Sequence, residues 1–195
     1  DVQSRPIARI TITPEAAPGI SGKTGAPEYF TNSTDVHLVV NEGYLPNGSL
    51  VPPEEEGSAL EASPSFIISS QNGLASVTIN GQIYPVVNGS LEGFPEQGVH
   101  AAGGLVTNPR VEAIGDGDYR LSFDYTFSDP HSPPGEGRDH AEADEPLVIS
   151  VCDNGGNESG QAHLKVESIY DVPQAVDAIS ARVPERANGR PYLLA

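Results

Sequence analysis

From Ser65 to Tyr170 the chain is divided into short apolar-rich runs, the last of which alternates apolar and polar residues cleanly, and turn-forming Gly, Pro, Asn, Asp or Ser residues separate them. A period of two is the signature of a strand with one face covered, whereas a helix repeats its apolar residues every three to four positions. The longest runs are Tyr119–Phe127 and Gln161–Tyr170, with Ser65–Ser69, Ala75–Ile79, Gln82–Val87 and Leu147–Cys152 between or before them. Two more runs, Ile7–Thr13 and Val36–Val40, lie nearer the N-terminus. Asn80-Gly81 separates two apolar-rich runs, the strongest short-range signal for a tight hairpin. The expected fold is therefore all-β, an antiparallel Ig-like β-sandwich with long loops.

The loops are expected at 41–64, 88–110 and 128–146. Val51–Gly57 holds two prolines and three glutamates, so it lacks donors and repels itself, and it cannot be a central strand. Residues 89–109 are punctuated by glycine and read as irregular. The sandwich is expected to occupy residues 1–173. Residues 174–195 read as a linker or C-terminal tail, with a short Ala-rich helix over Gln174–Arg186 that Asn188–Pro191 ends.

Charge narrows the partners. Ten Lys and Arg face 27 Asp and Glu, a formal net charge of −17. Nucleic acids and anionic membranes attract a positive footprint, so neither is an expected partner. No apolar run approaches the roughly 18 residues that cross a bilayer, and no signal peptide is visible. One cysteine, Cys152, rules out an internal disulfide framework, and its place in an apolar run reads as a buried, inert thiol. A divalent cation is the obvious alternative staple for so many carboxylates, because it turns their repulsion into a crosslink. A generically acidic, salt-adapted surface with no cation site fits the composition equally well.

Three segments have the residue types for Ca²⁺, which takes six to eight oxygen ligands. Asp129–Glu145 offers six carboxylates and two imidazoles, including Asp129 and Asp139. Asp153–Gly160 alternates oxygen-bearing side chains with glycines, so that carbonyls can converge with Asp153 and Asn157; a plain Asx-type turn has the same residues. Gly115-Asp116-Gly117-Asp118 is either a tight turn or a ligand pair. His131 and His140 would admit Zn²⁺, but their spacing matches no helical metal motif. Enzymatic motifs are missing from the sequence: it has no Gly-x-Ser-x-Gly elbow, phosphate loop or His-Glu-x-x-His. A carboxylate pair such as Glu142 and Asp144 leaves glycoside hydrolysis open. Asn-x-Ser/Thr sequons stand at Asn32, Asn47, Asn88 and Asn157.

Gly117–Asp129, then the His- and Asp-rich loop, then Leu147–Gly160 and the closing Ile169-Tyr170-Asp171-Val172-Pro173 resemble modules of large bacterial RTX adhesins. Those modules are type I-secreted, Ca²⁺-binding β-sandwiches of the VCBS kind. The resemblance implies Asp153, Asn157 and Asp171 as Ca²⁺ ligands, with Asp129 and Asp139 as further ones. Asp116 and Asp118 complete the candidate set from the residues alone. Where those modules carry three aspartates in their last loop, this chain has Asp153-Asn154-Gly155-Gly156-Asn157. It further implies an extracellular, cell-surface location, neighbouring domains of the same adhesin as partners, and a peptide or glycan ligand on the long loops. The expectation is thus a non-enzymatic, Ca²⁺-stabilised module for adhesion or biofilm cohesion; the alternative is a secreted polysaccharide-acting enzyme or its accessory module.

Overall fold

Burial alternates residue by residue along Leu147–Asp153 and Ala162–Ile169, as successive side chains on a covered strand must. The computed structural model describes residues 9–16, 27–46, 48–50, 59–128, 140–142 (backbone only) and 145–169. Among these the strands are β1 (Thr11–Pro14), β2 (Glu28–Thr31), β3 (Asp35–Asn41), β4 (Glu61–Ala62), β5 (Ser65–Ser69), β6 (Leu74–Ile79) and β7 (Gln82–Val87). They continue as β8 (Ser90–Leu91), β9 (Val99–Ala101), β10 (Gly104–Gly115), β11 (Asp118–Phe127), β12 (His140–Glu142), β13 (Leu147–Asp153) and β14 (Ala162–Ile169).

Pairing arranges them in two layers. One runs β1-β5-β11-β10, with β4 continuing β5 along β11, and β8 and β9 along the far side of β10. The other runs β2-β3-β14-β13-β6-β7, with β12 continuing β13 along β14. The turn from β7 to β8 takes the chain from one layer to the other. The order is that of an Ig-like sandwich, with β5, β11 and β10 facing β6, β13 and β14. One pair departs from the antiparallel expectation: β3 and β14 are parallel over seven registered residues, from Asp35 opposite His163 to Asn41 opposite Ile169.

The core fills the space between the layers. Phe66, Ile68, Leu121, Phe123, Tyr125 and Phe127 from one meet Val36, Leu38, Val77, Ile79, Leu147, Ile149 and Leu164 from the other, all at 1% exposure or less. Burying each such side chain contributes on the order of 1.5–3 kcal/mol. The Asn80-Gly81 hairpin forms as expected, with both residues at positive φ (46° and 80°), the backbone that a twist-matched two-residue turn needs.

Residues 89–109 are not irregular. They hold β8, β9 and the first half of β10. The glycines that break the pattern, Gly89, Gly93, Gly98 and Gly103, sit at positive φ in the turns between these short strands. Within β10, Asn108 (φ 49°) and Pro109 occupy a register shift between Thr107 and Arg110. This bulge accommodates a proline that has no N–H to give the ladder. The segment expected as one loop over 128–146 includes β12, which adds three residues beside the end of β14. The tail at 174–195 lies outside the described residues.

Candidate functional site

The two layers place three turns at one end of the sandwich: Ser70–Gly73 between β5 and β6, Gly115–Asp118 between β10 and β11, and the loop after Asp153 between β13 and β14. Backbone and side-chain bonds join them. Ser70 N–H donates to Gly117 O at 2.8 Å, Gln71 Nε2 reaches Asp116 O at 3.3 Å, and Asn72 Nδ2 reaches Asp153 Oδ2 at 2.9 Å. Four candidates, Asp116, Asp118, Asp153 and Asn157, therefore share this end. Asp129, Asp139 and Asp171 lie outside the described residues, as does His131.

Asp153 is 2% exposed. Its Oδ1 accepts the backbone N–H of Gly155 (2.9 Å) and of Asn157 (2.8 Å), and its Oδ2 accepts the amides of Asn72 (2.9 Å) and Asn157 (2.8 Å). A carboxylate has about four lone-pair positions, and N–H donors use that number here. The Asn157 amide chiefly, and then the other three donors against the opposing effect of burial, hold the Asp153 carboxyl down to about 2. Asn154 Nδ2 donates to Asn72 O at 2.9 Å, so the loop is tied to the neighbouring turn twice.

This arrangement does not fit Ca²⁺ at Asp153. The cation would have to replace N–H donors, two of them from the backbone, that already satisfy the carboxylate. Asp118 accepts the Ser69 hydroxyl. Asp116 sits at φ 52°, the left-handed corner of its turn. Among the described residues, no three His, Cys, Asp or Glu side chains converge as a metal-holding group.

A second polar cluster was not visible in the sequence. On the outer face of the β3–β14 pair, Asp35 is 6% exposed and is held by Lys165 Nζ (2.9 Å to Oδ2), His163 Nδ1 (2.7 Å to Oδ1) and the Thr34 hydroxyl (3.0 Å). Burial alone would raise its pKa, but the hydrogen bonds from Lys165, His163, Thr34 and Asn32 outweigh that and hold the carboxyl well below the usual range. Because an ionised carboxylate only accepts, His163 carries its proton on Nδ1 here. His37 stands 4.0 Å from the same carboxylate and stacks on Phe30, with ring centroids 4.9 Å apart. His37, His163 and Lys165 all occupy outward positions of expected strands. Their meeting depends on the parallel β3–β14 register, which no local pattern encodes.

A third network ties the layers together. Arg120 on β11 binds Glu15 through both Nε (2.7 Å) and a terminal nitrogen (2.8 Å), and reaches Glu112 at 3.3 Å. Glu15 also accepts the Ser65 hydroxyl at 2.9 Å, and its backbone carbonyl accepts the hydroxyl of Tyr29 on β2 at 2.8 Å. The Arg120 fork is the main reason that the Glu15 carboxyl lies below its ordinary value.

Cys152 is half-buried, not buried as its apolar run implied. Alternation points Val151 into the core and Cys152 to the outer face. Its thiol contacts the Asp153 carbonyl at 3.5 Å.

A scan of the chain against protein-family models finds no match, and a search among curated proteins finds none either.

Proposed function

We propose that this chain is a non-enzymatic, Ca²⁺-stabilised extracellular module of a large bacterial adhesin, one bead in a head-to-tail array. The observation that supports this best is strand direction. β1 starts at the end of the sandwich that holds the 70–73, 115–118 and 153–161 turns, because Thr11 is registered with Ser69 and Ser69 with Asp118. β14 starts at that same end and runs to the opposite one, where Ile169 lies beside Asn41 and His140. A module threaded from pole to pole transmits a chain through itself and separates what is attached at either side. Glu15, Asp35 and Asp153, whose carboxyls all lie below their ordinary values, are each satisfied by partners that tie strands or turns together, as befits a scaffold.

Ca²⁺ belongs to this reading through Asp129, Asp139 and Asp171 and the other carboxylates of 129–145, whose residue types suit it, and not through Asp153. Neighbouring modules are the primary partners, and a peptide or glycan is the ligand class for the loops. Small-angle scattering of two copies joined head to tail tests the reading. The expected result is an extended pair in Ca²⁺ that loses stiffness in chelator. A folded-back pair that is indifferent to Ca²⁺ would overturn it.

A further inference from the structure

We infer that the parallel β3–β14 pair is a mechanical clamp, the part of the fold that resists a pull along the chain. The inference rests on the proposed placement of the module within a tensed array. Three features of the fold lead to it.

The first is geometry. Tension on the N-terminal side draws the start of β3 toward the turn-bearing pole, while tension on the C-terminal side draws the end of β14 toward the other. Because the strands are parallel, these pulls act in opposite directions along one interface, and all seven registered positions from Asp35/His163 to Asn41/Ile169 are sheared together. An antiparallel pair joined by a turn would instead open one rung at a time. β1 precedes the clamp with only four registered positions, Thr11 to Pro14. β2 is tethered so that it peels from β3 from its Glu28 end.

The second is the position of the polar cross-links. Both ends of the interface are pinned by a carboxylate of the β3 side. At the start, Asp35 on β3 binds His163 and Lys165 on β14. At the end, Glu42, 5% exposed just after β3, accepts the hydroxyl of Ser168 on β14 at 2.7 Å. Bonds at the ends of a sheared interface resist the first slip of register. A slip of one residue would also turn Val36, Leu38 and Val40 out of the core.

The third is burial. Val36 and Leu38 on β3 and Ala162 and Leu164 on β14 are all at 0% exposure. Water therefore has little access to the clamp's inner side, where it could take over the ladder hydrogen bonds during a slip.

The test is single-molecule pulling of the full chain. In a Cys152→Ser background, one set of molecules is held by its termini. A second set is held through Ser33→Cys and Gln161→Cys, two exposed positions at the same pole, so that the same interface is peeled. The expected result is a much higher unfolding force between the termini than between 33 and 161. Lys165→Met should speed unfolding under terminal load by roughly three- to tenfold. Arg120→Met, which loosens the β1–β11 network, should alter only an earlier, weaker step. Equal forces in the two geometries would overturn the clamp, as would a terminal force that follows Arg120→Met and ignores Lys165→Met. Either failure leaves the Ca²⁺ and array reading to its own scattering test.

Discussion

Asp153 and Asp35 are both aspartates whose carboxylates hold separate pieces of chain together, and each gives a prediction with a definite sign. Asp153→Asn turns one acceptor oxygen into a donor that faces existing donors, so the melting temperature should fall by several degrees. The fall should be the same in Ca²⁺ and in chelator, as checked by parallel thermal melts. A loss confined to Ca²⁺ would instead make Asp153 a ligand. The same carboxylates set the response to acid. Asp153 titrates at about 2 in the folded chain against about 3.9 for a free aspartate. Between those values the unfolded chain takes the proton first. The stability that Asp153 contributes is therefore present above about pH 4 and is lost as pH falls toward 2. Asp35 and Glu15 are shifted in the same direction and add to the loss at the acid end. Denaturant midpoints measured from pH 5 down to 2 should drop below pH 4, and less steeply in Asp153→Asn. A rising midpoint would contradict the assignment.

At the scale of elements, two glycines separate backbone strain from crowding. Gly81 sits at φ +80°, and a Cβ added there would meet no atom within 4 Å, so Gly81→Ala introduces strain alone, about 1 kcal/mol. Gly104 has ordinary φ, but a Cβ there would lie 2.4 Å from Thr126 O and 2.7 Å from the Tyr125 ring. Gly104→Ala must push β10 off β11 or displace a buried tyrosine, at a cost of about 1–3 kcal/mol. Urea unfolding of both variants checks the order. The strands that are apolar-rich and bounded by turn residues were legible from the sequence: β5 and β7 match residue for residue, and β3, β6, β11, β13 and β14 match to within a residue or so. β2 was not legible, because Glu28–Thr31 is too short to set a period. β10 was not, because Asn108-Pro109 interrupts its pattern at a bulge. The candidate site was legible in part. Asp153 and Asn157 do meet, and an Asx-type turn was one of the two readings of that loop. Asn72, which completes the set of donors, lies 81 residues away, and the Asp35 cluster spans 128 residues. Such contacts depend on strand register across the sheet, which local periodicity does not specify.

At the scale of the whole molecule, the charge of −17 and the placement of the start of β1 and the end of β14 at opposite poles have to be explained together. Uncompensated, that charge works against compactness, and it does so less in high salt. Monovalent salt should thus raise the melting temperature modestly, whatever the cation sites are. Specific Ca²⁺ binding adds to this, because an ion bound only by the folded state stabilises it by RT ln(1 + [L]/Kd), about 2.7 kcal/mol at a hundredfold excess over Kd. Screening by a divalent ion would be shared by Ca²⁺ and Mg²⁺, but a site of six to eight flexible oxygens favours the larger ion.

The most direct measurement is thermal unfolding of the metal-stripped chain, titrated with Ca²⁺ and in parallel with Mg²⁺ at fixed ionic strength. The account predicts a saturable rise in melting temperature with Ca²⁺, a much smaller one with Mg²⁺, and the same Ca²⁺ increment in Asp153→Asn. An identical response to the two ions, or none to either, would contradict the Ca²⁺-stabilised module and leave an acidic sandwich held together by its core and its carboxylate networks alone.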